Sequence, residues 1–212
     1  MPGNSIEPSR FAIINRMTKI IADITVSLDG FVAGPEQSLD NPLGKRGELL
    51  HYWMFRDAEQ NKPEIKLLGS HEAYIMGRNM FGPGRGEWDL DWKGWWGGEP
   101  PYHAPVFVLT HHRRESLQLQ GTRITFVNDG INSALDQARH AVKDGSIGIA
   151  GGASTVRQYI LAGLVDELRL HISPVMLGSG EYLWEGLEHI NFEQIAGRST
   201  KLVTHISYRI LN

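Results

Sequence analysis

Apolar residues along this chain fall into short runs and periodic stripes, with no long continuous span. Residues 20–27 (IIADITVS) are apolar and β-branched, the pattern of a largely buried strand. Residues 105–110 (PVFVLT) and 123–127 (RITFV) predict two more strands, and 147–150 a short buried one. Tyr74, Ile75 and Met76 form a brief apolar run closed by Gly77 and Arg78. Helical spacing links Ile131, Leu135, Ala138 and Val142, and again Val156, Ile160 and Leu164. Leu49, Tyr52, Trp53 and Phe55 predict an amphipathic helix over about 47–60, with Pro63 beyond its end. Leu168, Leu170 and Ile172 alternate with Glu167, Arg169 and His171, as in a half-buried strand, and 201–211 reads as a final, antiparallel strand. Strand and helix alternate and strands close the chain. The expected fold class is therefore α/β, three-layered, with a mainly parallel central sheet flanked by helices and antiparallel edge strands.

Residues 82–105 break this pattern. They hold four prolines, glycines throughout, and four of the six tryptophans: Trp88, Trp92, Trp95 and Trp96. A loop this long is functional or disordered, and the tryptophans argue against disorder. The segment is expected to be a lid, a wall of an aromatic pocket, a small core that pins the loop, or a dimer contact. Residues 1–16 mix Pro, Gly, Asn and Ser and are expected to be a flexible extension, with 17–212 a single domain.

Composition narrows the function. Lys and Arg number 21 against 24 Asp and Glu, a net charge of −3, so there is no basic excess for a nucleic-acid surface. The absence of cysteine excludes disulfides, zinc–thiolate sites and a cysteine nucleophile. No apolar run suits a membrane span or a secretory signal, and the expectation is a cytoplasmic protein.

Four segments are candidates for chemistry. A strand runs into Gly151-Gly152 and a helix that opens at about Ser154 or Thr155. Glycines allow close approach, and helix N-terminal amides favour a phosphate. The same residues equally describe a tight turn capped by Ser154. Gly77-Arg78 sits at a strand's end, where open α/β sheets bind ligands, and Arg78 is either a phosphate ligand or a surface arginine. Thr110-His111-His112-Arg113-Arg114 follows a strand and suits a nucleotide 2′-phosphate or a solvated basic turn. Asp29, after the first strand, is placed to relay a proton or to make an Asp-Gly turn. Gly-x-Gly-x-x-Gly after a strand, a Walker phosphate loop and a Gly-x-Ser-x-Gly elbow are all absent.

With these segments in view, the chain resembles the dihydrofolate-reductase-like superfamily, in the branch of the C-terminal reductase domain of bacterial riboflavin biosynthesis proteins (RibD). The resemblance rests on Ser27-Leu28-Asp29-Gly30, Met76-Gly77-Arg78, the run 105–110, Gly151-Gly152-Ala153, 163–168 and 174–180, in this order over about 18–211. It implies NADPH lying across the strand ends. Gly151, Gly152, Ala153, Ser154 and Thr155 would hold the diphosphate region, and Gly77, Arg78, Thr110, His111, Arg113 and Asn128 the adenosine side. Asp29 would be the catalytic group, with Ser27, Phe31, Tyr52, Trp53 and Trp88 bordering a small heterocyclic substrate. The family commonly forms homodimers. Ala150 replaces its usual glutamate before the glycine pair, the Asp-Asn-Pro motif is absent, no acid aligns on the first helix, and a stand-alone form without the deaminase domain is expected.

The expected function is hydride transfer from NADPH to a pterin, an aminopyrimidine or a similar ring, as in 5-amino-6-(5-phosphoribosylamino)uracil reductase and dihydrofolate reductase. The alternatives are a non-catalytic NADP(H)-binding or sensing protein and, more distantly, a flavin-binding variant. No metal is expected.

Overall fold

β1 (Ile20–Ser27) is buried along its whole length, because both faces of the sheet are covered where it runs. Its companions are β2 (Ala73–Gly77), β3 (Val106–Leu109), β4 (Leu117–Leu119), β5 (Thr122–Val127), β6 (Ile147–Ile149), β7 (Glu167–Ser173), β8 (Asn191–Ser199) and β9 (Thr204–Leu211). In the computed structural model, which describes residues 18–82 and 86–211, these form one sheet in the order β4-β5-β3-β2-β6-β1-β7-β9-β8. The six strands from β5 to β7 are parallel, whereas β4, β9 and β8 pair antiparallel at the two edges. The stretch expected to be a flexible extension, 1–16, lies outside the described residues.

One face of the sheet is a conventional apolar layer. Ala22, Ile24 and Val26 of β1 pack with Ala73, Ile75, Ile147, Ile149, Leu168 and Leu170. Two helices cover them, with Leu135, Ala138, Val156 and Ile160 of the helical spacing joined by Ala134 and Tyr159. The first is α4 (Ile131–Ala141), with Ala134, Leu135 and Ala138; the second is α5 (Ala153–Leu161), with Val156, Tyr159 and Ile160. Leu164 lies three residues past the end of α5, after Gly163 in a left-handed turn (φ +66°).

The second face has two different covers. Over β2, β3 and β5, the Trp-rich segment packs on Tyr74, Met76, Val106, Val108, Ile124 and Phe126. Over β1 and β7 lies a 3-10 turn (Gly47–His51) that runs into the four-residue helix α1 (Tyr52–Phe55). The single helix expected over about 47–60 is thus corrected to a shorter turn. Turns and a bend over 56–61 follow Phe55 and lead into a second helix, α2 (Lys62–Leu68), with Pro63 in its first turn, where a missing amide costs nothing. The last of the helices, α3 (Arg78–Phe81), is a single turn after β2. β4 and β8 were not expected. β8 carries almost no buried side chain and so lacks the apolar alternation that marks a half-buried strand.

The Trp-rich segment is docked on the sheet, the packing that the small-core alternative describes. Three of its indole N–H groups donate to main-chain carbonyls: Trp88 to His112 (2.8 Å), Trp92 to Phe81 (3.0 Å) and Trp95 to Asn79 (3.1 Å). Two arginines hold it from the sheet side. Arg78 donates to the carbonyls of Gly86 and Glu87 with its guanidinium 3.8 Å from the Trp88 ring centre. Arg114 donates to the carbonyls of Leu90 and Trp92. Removing that clamp in Arg114→Ala should cost about 1–3 kcal/mol and lower Tm by several degrees in thermal unfolding. An unchanged Tm would show that the segment holds itself.

Candidate active site

The six parallel strands end at one edge, and nearly every predicted ligand residue stands there: Ser27 and Asp29, Gly77 and Arg78, Thr110, Asn128, and the Gly151-Gly152 turn. Between the two covers of the second face, β6 presents little side chain. Ile147 and Ile149 belong to the other layer, leaving Gly148 and Ala150. His71 packs over Gly148, where an added Cβ would strike its ring at 2.5 Å, and Ala150 joins the Trp-rich cluster.

The glycine turn follows β6, which lies between β2 and β1 in the sheet. Gly151 adopts φ +107°, a region that favours glycine, and its carbonyl accepts from the Gly77 amide (2.8 Å). The Gly151–Gly152 peptide is cis. A Cβ placed on Gly152 would meet nothing within 4 Å, whereas one on Gly77 would strike Thr155 Oγ1 at 2.5 Å. Gly77 lets β2 and α5 touch, and Gly152 faces open space. α5 begins at Ala153 with Gly152 in the N-cap position and no side-chain cap. The capping role considered for Ser154 is therefore corrected: its exposed hydroxyl lies inside the first turn, 3.3 Å from Gln158 Nε2. Thr155 and Ala153 are buried.

Other predicted residues are engaged with the protein itself. Arg78, considered as a phosphate ligand, has both terminal nitrogens on carbonyls of the Trp-rich segment, and burial lowers its pKa while Glu87 opposes the shift. Trp88, expected beside the substrate, sits in that other cluster, against Phe81 and Phe126. Thr110 is buried and accepts from the His112 amide (3.1 Å), and Asn128 donates to the Thr110 carbonyl (3.2 Å). His111 and Arg113 are exposed.

Asp29, expected to relay a proton, ties two loops together. It accepts from Ser27 Oγ (2.6 Å) and from the amides of Leu177 (3.0 Å) and Gly178 (2.6 Å). Desolvation would raise its pKa, but the Ser27 hydroxyl and those amides outweigh it and hold the carboxyl below its ordinary value. Phe31 is half-buried against Tyr182, and Tyr52 is covered by the Arg56 guanidinium at 3.5 Å. Trp53 has no exposed surface and packs on His171 and His205, with ring centres 4.8 and 5.0 Å away.

Sequence reasoning missed the polar layer beneath α1. Asp23, Thr25 and Ser27 face this side of β1 and stand opposite Arg169, His171 and Ser173 of β7 in register. The alternation over 167–172 was read as one wet face, yet Glu167 and His171 are buried, His171 beneath Trp53 and Glu167 in ion pairs with Lys19 and Arg169. The signal was present: Asp23 interrupts an otherwise apolar strand. Desolvation works to raise the Asp23 pKa, but His171, His71 and Arg169 overcome it and bring it to about 2. Burial, helped by the nearby His171, lowers His51 to about 4. Burial and His171 likewise lower His205 to about 4, with Glu64 opposing and Arg198 adding. Among the described residues, no group of three or more His, Asp or Glu is arranged to hold a metal, and no helix is long and apolar enough to cross a membrane. A hollow of about 240 Å³ lined by Lys19, Asp166, Glu167 and Arg209 lies at the opposite, amino-terminal edge, away from these groups.

Residues 18–205 match the RibD C-terminal domain family. The chain is 26% identical over 197 residues to the uncharacterised Bacillus subtilis protein YyaP, covering 87% of this chain and 90% of that one. Its fold is similar to a crystal structure from Shewanella assigned to riboflavin biosynthesis, with TM-score 0.66 and 21% identity over 92% of this chain and all of the other. It is also similar to Enterococcus faecalis dihydrofolate reductase solved with NADP(H), with TM-score 0.57 and 14% identity over 92% of this chain and 98% of that one.

The buried histidines make stability depend on pH. An unfolded histidine takes its proton near pH ~6.5, while His51 and His205 resist protonation to about 4. Between these values the unfolded chain binds more protons, so stability falls as pH falls. Tm should drop from pH ~6.5 to pH ~4, and His205→Gln should flatten that drop. An equal slope in the variant would contradict the assignment.

Proposed function

The chain belongs to the RibD C-terminal domain family, and from that membership we propose that it is an NADPH-dependent reductase acting on a small heterocycle, a pterin, an aminopyrimidine or a similar ring. The observation that carries the reading is the glycine turn. It brings the N-terminus of α5, without a side-chain cap, to the carboxyl edge of a parallel sheet, with open space in front of Gly152. Helix N-terminal amides and their dipole hold anionic groups, so the turn fits a dinucleotide's diphosphate. Gly152, Ala153, Ser154 and Thr155 would hold that part, and the exposed Ser154 brings a hydroxyl.

When bound, the cofactor supplies the hydride. The chain's own residues bind and orient. Thr110 and Asn128 shape the turn after β3, and the exposed His111 and Arg113 stand beside it to meet a 2′-phosphate. This leaves the distinction between NADPH and NADH to His111 and Arg113, since Arg78 is committed to the Trp-rich segment. Asp29 fixes the loop after β1 to the loop after β7 and so shapes the edge beside the proposed site.

Titration with NADPH and NADH, followed by tryptophan fluorescence, tests this. NADPH should bind the more tightly. Arg113→Ala should weaken NADPH by about tenfold, a loss of about 1.4 kcal/mol, and leave NADH nearly unchanged. A folded protein that binds neither nucleotide would refute the reading. NADPH binding without oxidation across pterins and aminopyrimidines would leave a cofactor-binding protein in place of an enzyme.

A further inference from the structure

His171 of β7 and His205 of β9 stand opposite each other in register, both buried, with their Nδ1 atoms 2.7 Å apart. That spacing holds one proton, and the neighbouring bonds decide which ring carries it. Asn61 Nδ2 donates to the carbonyls of Trp53 (3.2 Å) and Asp57 (2.7 Å). Its Oδ1 therefore accepts, from Thr200 Oγ1 (3.1 Å) and from His205 Nε2 (2.9 Å). With a proton on Nε2, neutral His205 offers the lone pair of Nδ1, and His171 Nδ1 is the donor. His171 Nε2 faces Asp23 Oδ1 at 3.7 Å, so a proton there meets a carboxylate. The four ring nitrogens thus accommodate three protons. A fourth, on His205 Nδ1, would set two N–H groups head to head at 2.7 Å, with two cations side by side.

The sheet decides which part yields. β7 is paired on both sides, with β1 and β9, and β9 with β7 and β8, so the backbone under the two rings is fixed. Trp53 lies over both rings, with centres 4.8 and 5.0 Å away, and belongs to α1, a four-residue turn without a side-chain cap. Among the described contacts, this turn is held to the sheet by Ser173 Oγ, which donates to the Leu50 carbonyl (2.6 Å), and through Asn61. The turn also brings a buried histidine of its own, His51.

Charged groups face His205 from several elements. Asp23 of β1 and Arg169 of β7 stand behind His171. Glu64 of α2 has Oε2 3.9 Å from His205 Nε2 and favours an added proton, while Arg198 of β8 engages that carboxylate and opposes it. Burial, aided by His171, outweighs Glu64 and holds His205 and His51 down to about 4 while α1 is seated. Once in water, each ring takes its proton near pH ~6.5. The seated form therefore binds fewer protons than the open one. Between these two values, each pH unit of acidification favours opening by up to about tenfold per histidine.

We propose that the His171–His205 pair is an acid latch for α1. With three protons the pair seats Trp53; the fourth releases the turn while the sheet stays folded, and the polar layer opens to water. The latch belongs to the cover and works whether or not the chain holds a nucleotide.

The test is fluorine NMR of the full chain labelled with 5-fluorotryptophan, the Trp53 signal being assigned by its loss in Trp53→Phe. As the pH falls from ~6.5 to about 4, the Trp53 signal should convert to that of a solvent-exposed indole. Those of Trp88, Trp92 and Trp95, bonded to carbonyls, should hold their positions. His205→Gln keeps a donor for Asn61 and cannot take a charge. It should cut the rise in the open-to-seated ratio over that range by about tenfold. If that variant fails to fold, His51→Gln removes the other titrating ring and should cut the rise several-fold. A Trp53 signal unmoved down to the lower pH, a simultaneous change in all the indoles, or an unaltered rise in the variant that folds would overturn the proposal.

Discussion

A carboxylate buried in the middle of a parallel sheet has to be neutralised locally, and Asp23 imposes that demand on half of the second face. Its partners come from separate parts of the chain: His71 before β2, and Arg169 and His171 on β7. His171 passes the demand to His205 on β9, and His205 to Asn61, whose amide holds the main chain at Trp53 and Asp57. One ionised group therefore organises the strand order on this side and the short turn that closes it. An apolar residue at that position would leave these histidines without a reason to be buried, because buried polar groups persist where they are paired.

The other half of the face is built by different means. There the sheet is apolar, and the Trp-rich segment lies on it as an extra layer whose indole N–H groups and two arginines serve main-chain carbonyls. A long loop leaves many carbonyls to satisfy, and arginine, with five donors, satisfies several at once. Between the two covers, His71 packs over Gly148, and Ala150 joins the Trp-rich cluster.

Much of this was legible in the residues. The β-branched run 20–27, the helical stripes of α4 and α5 and the glycine turn gave the apolar face and the parallel order, since periodicity reports burial directly. The first helix was overread, because Leu49, Tyr52, Trp53 and Phe55 serve a short turn in contact with polar side chains, and apolar spacing does not distinguish the two. Arg78 looked like a ligand for phosphate because nothing local shows that Gly86 and Glu87 return to it. The polar layer was hidden for a similar reason. Alternation on β7 records that two faces differ, and only the covering turn shows that the polar one is dry.

The account centres on a cofactor phosphate seated at the N-terminus of α5. Backbone amide NMR of the folded chain, with NADPH added, addresses it directly. The largest shifts should fall on Gly152, Ala153, Ser154 and Thr155, with smaller ones at His111 and Arg113. Saturable NADPH binding that leaves the Gly152 to Thr155 amides unmoved would contradict it.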